Sequence, residues 1–310
     1  MASEQLVNCS QYDGAAQFGY FGYEETASAM KNPQLPLVSG SIYHSLRESV
    51  LSDAQSWSED QCRIRGAWTL NLACQPTIGE RIFRYDVAIV QTQQQGAAYT
   101  FAGQIDHSKA IELIGRDARE CIPSSMSVYG LAVLDAICGS FDCSPTRRFV
   151  LEGLSADKAV QRAQIVADEV ARLTLPIRSR SPRVANVGAI GNVVGLLVKA
   201  GFKVTITDLD PAIIGRDLHG CTVLDGHLHT ESSVHDCDIA VVTGMTLSTG
   251  ALDGILHAAT TGNTKIVLLA ETGAWFREHL LKLGVTTIIS EPFPFYIFSG
   301  TSHINVYCKE

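Results

Sequence analysis

A glycine-containing turn between two apolar runs is the strongest local motif of the chain. It lies in the segment NVGAIGNVVGLLVKAGFKVTITDLDP, residues 186–211. The pattern predicts a strand, a turn through Gly188 and Gly191, a helix, and a second strand that ends at Asp208. Free N–H groups at the start of such a helix can face a ligand, and an acid at the end of the second strand can accept ribose hydroxyls.

The spacing of the glycines favours a cofactor without phosphates. The dinucleotide pattern G-x-G-x-x-G is incomplete, because Ile190 and Val193 stand at its second and third glycine positions and leave less room for a pyrophosphate. S-adenosylmethionine needs only a tight turn, a ribose-binding acid and a polar residue after the third strand, where Asp225 follows the run TVL. The residues expected to bind this cofactor are Asn186, Gly188, Ala189, Ile190, Gly191, Asp208, Leu209, Asp225, Thr243, Gly244 and Thr246.

A second cluster offers ligands for zinc, nickel or copper. Asp225, His227, His229, His235 and Cys237 lie within thirteen residues of one another, and all have side chains that bind such metals. His227 and His229 are expected to share a face of a strand, whereas His235 and Cys237 are expected on a short helix or loop. The spacing matches neither C-x-x-C nor H-E-x-x-H, so the alternative is a set of polar loop histidines. The sequence assigns no catalytic residue.

Composition excludes several classes of protein. Of the 310 residues, 46% are hydrophobic and 18% are charged, which excludes a disordered tail protein, a coiled coil and a collagen-like fibre. The formal net charge of -8 argues against general binding to nucleic acid or to an anionic membrane. We therefore expect a small-molecule partner and leave a homodimer open.

The lack of a recognisable membrane span or secretory signal, together with the cysteine usage, predicts a cytoplasmic protein. The longest apolar runs fall far short of the roughly 20 residues that a membrane-spanning helix needs, and the N-terminus lacks the basic start and apolar core of a secretory signal. The nine cysteines are an odd number spread over a long chain, which indicates reduced thiols.

Periodicity predicts an α/β protein with an N-terminal α+β domain and a Rossmann-like, doubly wound domain. Residues 1–38 form an aromatic arm that either packs on the body or acts as a lid. Residues 39–150 form the α+β domain, with a first helix from Ile42 to Val50, strands between Trp68 and Thr92, and a buried helix that ends at Gly139. Residues 151–182 form a bridging helix and a linker.

Residues 183–310 alternate strand and helix. Six β-rich runs, RVANVG, KVTITD, CTVLDG, DIAVVTG, KIVLLAE and TTIISE, predict an open parallel sheet. Ligands of such sheets bind beyond the carboxyl ends of the strands.

The chain resembles the putative heavy-metal chelation family over most of residues 40–300. The resemblance rests on SIYHSL, SVYGLAVLDAI, VGAIGNVVGLLVKAGFKVTITD and, most specifically, DCDIAVVTGMTLSTGALDGIL. It implies an enolase N-terminal-like domain joined to a Rossmann-like domain, with a site between them. The sequence departs from the family pattern at AETGAW, where a proline-rich run is usual, near Glu271 and Thr272. The run TDLDP is similar to the second-strand end of Rossmann-fold methyltransferases, although Asn186 replaces the acid of their first-strand motif.

Three functions follow from these motifs. The first is an enzyme that binds S-adenosylmethionine and catalyses alkyl transfer or an intramolecular displacement at the sulfonium group, with Tyr20, Phe21 and Tyr23 as lid aromatics that stabilise the cation. The second is a metal-handling protein without catalysis that uses the cluster from His227 to Cys237. The third, which the incomplete glycine pattern disfavours, is a nicotinamide-dependent oxidoreductase.

Overall fold

Two β-sheets organise the computed structural model, which describes residues 42–75, 82–141, 144–177 and 180–309. The smaller sheet is an antiparallel meander of β1 (Gly66–Cys74), β2 (Phe83–Gln91) and β3 (Gln95–Phe101) in that spatial order. Its helices are α1 (Ile42–Asp53), α2 (Glu59–Cys62), α3 (Lys109–Leu113) and α4 (Val128–Cys138). The predicted first helix and the buried helix that ends at Gly139 are confirmed as α1 and α4.

The larger sheet is mostly parallel. Its strands are β4 (Arg147–Leu151), β5 (Arg183–Val187), β6 (Lys203–Asp208), β7 (Asp217–Leu218), β8 (Cys221–Asp225), β9 (Ile239–Thr243), β10 (Lys265–Ala270), β11 (Thr287–Ser290) and β12 (Ser302–Cys308). They lie in the order β4-β12-β11-β10-β9-β5-β6-β8-β7. The six predicted runs are the six parallel strands, and β12 and β7 run antiparallel to their neighbours. The predicted class, an N-terminal α+β region followed by a parallel-rich α/β sheet, is confirmed.

Helices cover both faces of the large sheet. They are α5 (Ser155–Thr174), α6 (Gly191–Lys199), α7 (Gly226–His235), α8 (Met245–Thr249), α9 (Leu252–Gly262) and α10 (Arg277–Lys282). An apolar stripe on α5, including Val166 and Val170, packs on one face of the sheet with Leu197 of α6. On the other face, α7 and α9 share one continuous core with α4. No helix within the described ranges is both long and apolar enough to cross a membrane.

The loop of residues 271–276, between β10 and α10, connects the large sheet to the small one. Thr272 Oγ1 accepts a hydrogen bond from the Tyr99 amide of β3 at 2.9 Å, and Trp275 Nε1 donates to the Gln95 carbonyl at 2.9 Å. Asp135 of α4 joins both sides, because its two carboxyl oxygens accept from the amides of Ala97 (3.1 Å) and Trp275 (2.8 Å). These contacts lie inside one compact unit of residues 37–310. The division into 39–150, 151–182 and 183–310 stays a prediction, and β4 and α5 lie in the layers of the large sheet.

Replacing Asp135 by Asn should destabilise the fold at neutral pH. Both carboxyl oxygens of Asp135 accept a hydrogen bond from a buried backbone amide, and Asn would place an NH₂ donor against one of these two amide donors. The lost hydrogen bond should lower the free energy of unfolding by about 1–3 kcal/mol. Urea denaturation measures the loss, with Asp168→Asn on the exposed side of α5 as the control. Equal midpoints for the two variants would show that Asp135 does not hold the loop to the small sheet.

Candidate functional site at the carboxyl edge of the large sheet

Acidic residues stand where four of the parallel strands end. Asp208 and Asp225 are the last residues of β6 and β8, and the strand register pairs them directly. Glu271 and Glu291 directly follow β10 and β11. The carboxyl ends of parallel strands meet at one edge of a sheet, so these four carboxyl groups lie along one edge, the predicted place for a ligand.

The glycine turn is built as predicted, but its amides are already bonded. Gly188 has a φ of +82°, and a Cβ on it would lie 2.7 Å from the Thr243 side chain, so only glycine fits there. The Ala189 amide donates to Asp208 Oδ2 at 2.7 Å, and the Ile190 amide donates to Asn186 Oδ1 at 3.1 Å. The turn thus presents a carboxylate where a dinucleotide site presents amides to phosphate. A pyrophosphate is disfavoured for this electrostatic reason as well as for lack of room.

The other predicted cofactor residues lie beside this turn. Asp208 Oδ1 accepts from the Asp210 amide at 2.8 Å, next to Leu209, and Asp225 Oδ1 caps α7 by accepting from the His227 amide at 2.9 Å. The Thr246 hydroxyl donates to the Thr243 carbonyl at 2.8 Å. The structure therefore brings the predicted set together at the ends of β5, β6, β8 and β9.

Gly244 joins this part of the edge to the end of β10. A Cβ on Gly244 would lie 2.7 Å from the Thr272 carbonyl oxygen, so the two backbones touch. Thr272 in turn binds the Tyr99 amide. The glycine turn and the acids after β10 and β11 are thus parts of one continuous edge.

A buried guanidinium joins Glu271 to Glu291. Arg162 of α5 contacts Glu271 Oε1 through Nη2 at 2.7 Å and Glu291 Oε2 through Nε at 2.8 Å. The fully buried Glu291 also accepts from the Tyr296 amide and the Ser302 hydroxyl through Oε1, at 2.6 and 2.7 Å. The Arg162 guanidinium lies over the Tyr296 ring, with its central carbon 4.8 Å from the ring centroid.

Burial gives Glu271 an exchangeable proton near neutral pH. Burial raises the pKa of Glu271 to about 7; Arg162 opposes the rise and the neighbouring Glu291 adds to it. Burial also raises the pKa of the nearby Cys74 thiol, and Glu271 contributes to that rise. The thiol therefore stays protonated at neutral pH, which disfavours a resting thiolate nucleophile. The arrangement can move a proton on and off the Glu271 carboxyl.

The small sheet covers the part of the edge at the ends of β10 and β11. Tyr99 of β3 is buried against Phe295, with ring centroids 5.0 Å apart, in a cluster that includes Val87, Ile89 and Met245. This cover is the source of the low solvent exposure that raises the pKa of Glu271.

The sequence motifs did not identify Arg162 or Glu291. Glu271 and Thr272 lie in AETGAW, where the sequence departs from the family pattern. One signal was present in the sequence, since Glu291 follows a predicted parallel strand as Glu271 does.

The predicted metal ligands are separated in the structure. The prediction that His227 and His229 share a face of a strand is wrong, because both residues lie on α7. On a helix, side chains two residues apart point in different directions. Both side chains are exposed. His235 forms a hydrogen bond with the Asp236 carboxylate, and the buried Cys237 thiol donates to the Val234 carbonyl. Across the described ranges, no group of three or more His, Cys, Asp or Glu side chains is arranged to hold a metal ion. The lid aromatics Tyr20, Phe21 and Tyr23 lie outside the described residues.

Replacing Glu271 by Gln should change how stability depends on pH. The folded-state pKa of about 7 lies above the ordinary glutamate value near 4.3, so ionisation costs the folded state free energy. Wild-type stability, measured relative to E271Q, should therefore fall by roughly 2 kcal/mol as pH rises from about 5 to 8 and then level off. Chemical denaturation across this range measures the difference, with the exposed Glu278→Gln as the control. A constant difference between wild type and E271Q would show that Glu271 does not titrate there.

Comparison with known proteins finds a family model that matches part of the chain. The model of the putative heavy-metal chelation family, DUF364, matches residues 173–290. Two solved structures of DUF364 proteins of unknown function share the fold. The one from Pyrococcus horikoshii has 14% identity and a TM-score of 0.51 and covers 86% of this chain and 100% of its own. The structure from Desulfitobacterium hafniense has 12% sequence identity and a TM-score of 0.51, and its alignment covers 86% of this chain and 98% of the Desulfitobacterium chain.

The curated proteins give no match to the chain. The resemblance stated from the sequence is confirmed by the family match, because the model of the putative heavy-metal chelation family matches residues 173–290.

Proposed function

We propose that this chain binds a cationic small molecule along the carboxyl edge of the large sheet, and that this molecule is a metal chelate. The observation that carries the proposal is the acidic edge itself, formed by Asp208, Asp225, Glu271 and Glu291. Glu271 can lose a proton near neutral pH when a positive charge arrives. The family description, putative heavy-metal chelation, supports a metal as part of the ligand.

A chelate suits the edge better than a bare metal ion. The described residues offer no ready group of three ligands, and the positive Arg162 already occupies oxygens of both Glu271 and Glu291. An organic chelator supplies most of the metal's ligands and leaves one or two to the protein. Glu271 and the neighbouring Cys74 are ligand types for that purpose, and each would exchange its proton for the metal.

Binding of a nickel–histidine complex should release a proton. Titration calorimetry in two buffers of different ionisation enthalpy, at about pH 6.5 and about pH 8.5, measures that release on metal-stripped protein purified without an affinity tag. Release should be larger at the lower pH by somewhat less than one proton, because Glu271 is largely protonated there and ionised at the higher pH, where any proton released comes from the Cys74 thiol. E271Q should abolish the pH-dependent release and weaken binding by about tenfold or more.

Three controls accompany this titration. They are nickel chloride alone, free histidine, and the E278Q variant, which should behave as wild type. Equally tight binding of nickel chloride alone would contradict the chelate. Failure of the complex to bind, or the same proton release in E271Q, would contradict the assignment to this edge.

S-adenosylmethionine is a second candidate, because its sulfonium group is also a cation. The specific observation is the carboxylate of Asp208 on the Ala189 amide, which favours a positive or neutral ligand over a phosphate. Asp208 and Asp225, paired across β6 and β8, provide carboxylates for ribose hydroxyls and the adenine amine. Catalysis would then require the edge to align a nucleophile with the electrophilic carbon and to exclude water.

Titration with S-adenosylmethionine and, separately, with NAD tests this candidate. We expect binding of the sulfonium compound with a Kd on the order of micromolar and no comparable binding of NAD. Asp208→Ala should weaken binding by more than about tenfold. Asp208→Asn, which retains one amide acceptor, checks that loss of binding does not come from a collapsed turn, and Asp168→Ala is the surface control. Unchanged affinity in Asp208→Ala, or tighter binding of NAD, would contradict the assignment.

A further inference from the structure

A groove of about 430 Å³ lies on the face of the large sheet opposite α5. Its floor is the antiparallel pair β4 and β12, where Arg148 lies opposite Asn305 and Val150 lies opposite His303. These side chains alternate with those of Leu151 and Ile304, which are buried in the core under α5. The volume is within the usual range for small-molecule sites, about 300–1,000 Å³.

The charge of the groove is opposite to that of the carboxyl edge. Arg148, Arg277 and His303 line it, and none of its described lining residues is acidic. The chain as a whole carries a formal charge of -8, so this is a local positive site on an acidic protein. Such a site attracts anions against the repulsion of the rest of the surface.

Arg277 is held in place for this role. It is only 4% exposed, its Nη2 donates to the Phe141 carbonyl, and its Nη1 lies 3.4 Å from the Tyr307 hydroxyl. Its guanidinium lies over the Trp275 and Tyr307 rings, 5.2 and 5.5 Å from their centroids. Among the ion pairs of the described side chains, Arg277 has no carboxylate partner. Burial raises the pKa of the nearby Asp135 to about 7 and Arg277 opposes that rise, so at neutral pH this acid compensates the guanidinium charge only in part.

The aromatic walls define the rest of the ligand. Phe141, Trp275 and Tyr307 stand beside the three basic side chains, and the half-exposed Val150 adds apolar surface. An inorganic anion would satisfy the charges and leave this apolar surface in water. A ligand with both an anionic group and an apolar body would cover it.

We propose that the groove binds a small organic anion whose carboxylate or phosphate meets Arg148, Arg277 and His303 and whose apolar part packs on the aromatic walls. The inference does not depend on the function of the carboxyl edge. The groove nevertheless contacts Trp275 and Arg277, at the far end of the loop that begins with Glu271.

Titrations with benzoate, phenyl phosphate and inorganic phosphate at low ionic strength test the proposal on the full chain. Benzoate or phenyl phosphate should bind with a Kd below about 5 mM, and inorganic phosphate at least roughly fivefold more weakly. The tighter of the two organic probes distinguishes a carboxylate site from a phosphate site.

Arg148→Gln and His303→Gln are the test variants, because both side chains are exposed and neither supports the core. The double variant should weaken organic-anion binding by about twentyfold or more, while the exposed Arg84→Gln on β2 should bind as wild type. Failure of both organic probes to bind, equal affinity for inorganic phosphate, or wild-type affinity in the double variant would each overturn the proposal.

Discussion

The ion pairs of Arg162 with Glu271 and Glu291 are the interaction on which the carboxyl edge depends. Two carboxyl groups this close and this buried cannot both ionise without a compensating charge, and Arg162 supplies that charge from α5. One turn earlier on the same helix, the buried Lys158 donates to the carbonyls of Phe298 (2.6 Å) and Gly300 (2.9 Å). The helix, the segment after β11 and the two acids are thus positioned together, so the edge is preorganised before any ligand arrives.

The small sheet divides this edge into two environments. Over β10 and β11 it buries the ion pairs beneath Tyr99 and Phe295, and this low-polarity cover raises the pKa of Glu271 toward neutrality. Over β6 and β8, Asp208 and Asp225 remain half-buried and bonded to backbone amides. One part of the edge therefore exchanges a proton, and the other offers fixed carboxylates. The loop of residues 271–276 sets this difference, because it is hydrogen-bonded to β3 and α4.

The sequence predicted those elements whose signal is local. Each parallel strand is a short β-branched run between turn residues, and each was found. β3, β4 and β12 were not predicted: the run GAAY of β3 has little β-branched character, and β4 and β12 are recognisable mainly by their pairing. α7 was misread because GHLHTESSVH has almost no apolar period, and its start depends on the Asp225 cap. Arg162 and Glu291 are 129 positions apart in the numbering, and no spacing rule connects residues that only tertiary packing brings together.

The glycine turn shows why a motif alone does not define a ligand. Gly188 adopts the left-handed conformation that the turn requires, and the helix that follows is in place. In a dinucleotide site such amides face phosphate. Here Asp208 turns inward and accepts the Ala189 amide, so the same backbone presents negative charge. The acidic residues lie at the strand ends, whereas the basic groove lies on the face of β4 and β12, so the fold keeps these acidic and basic side chains on separate surfaces.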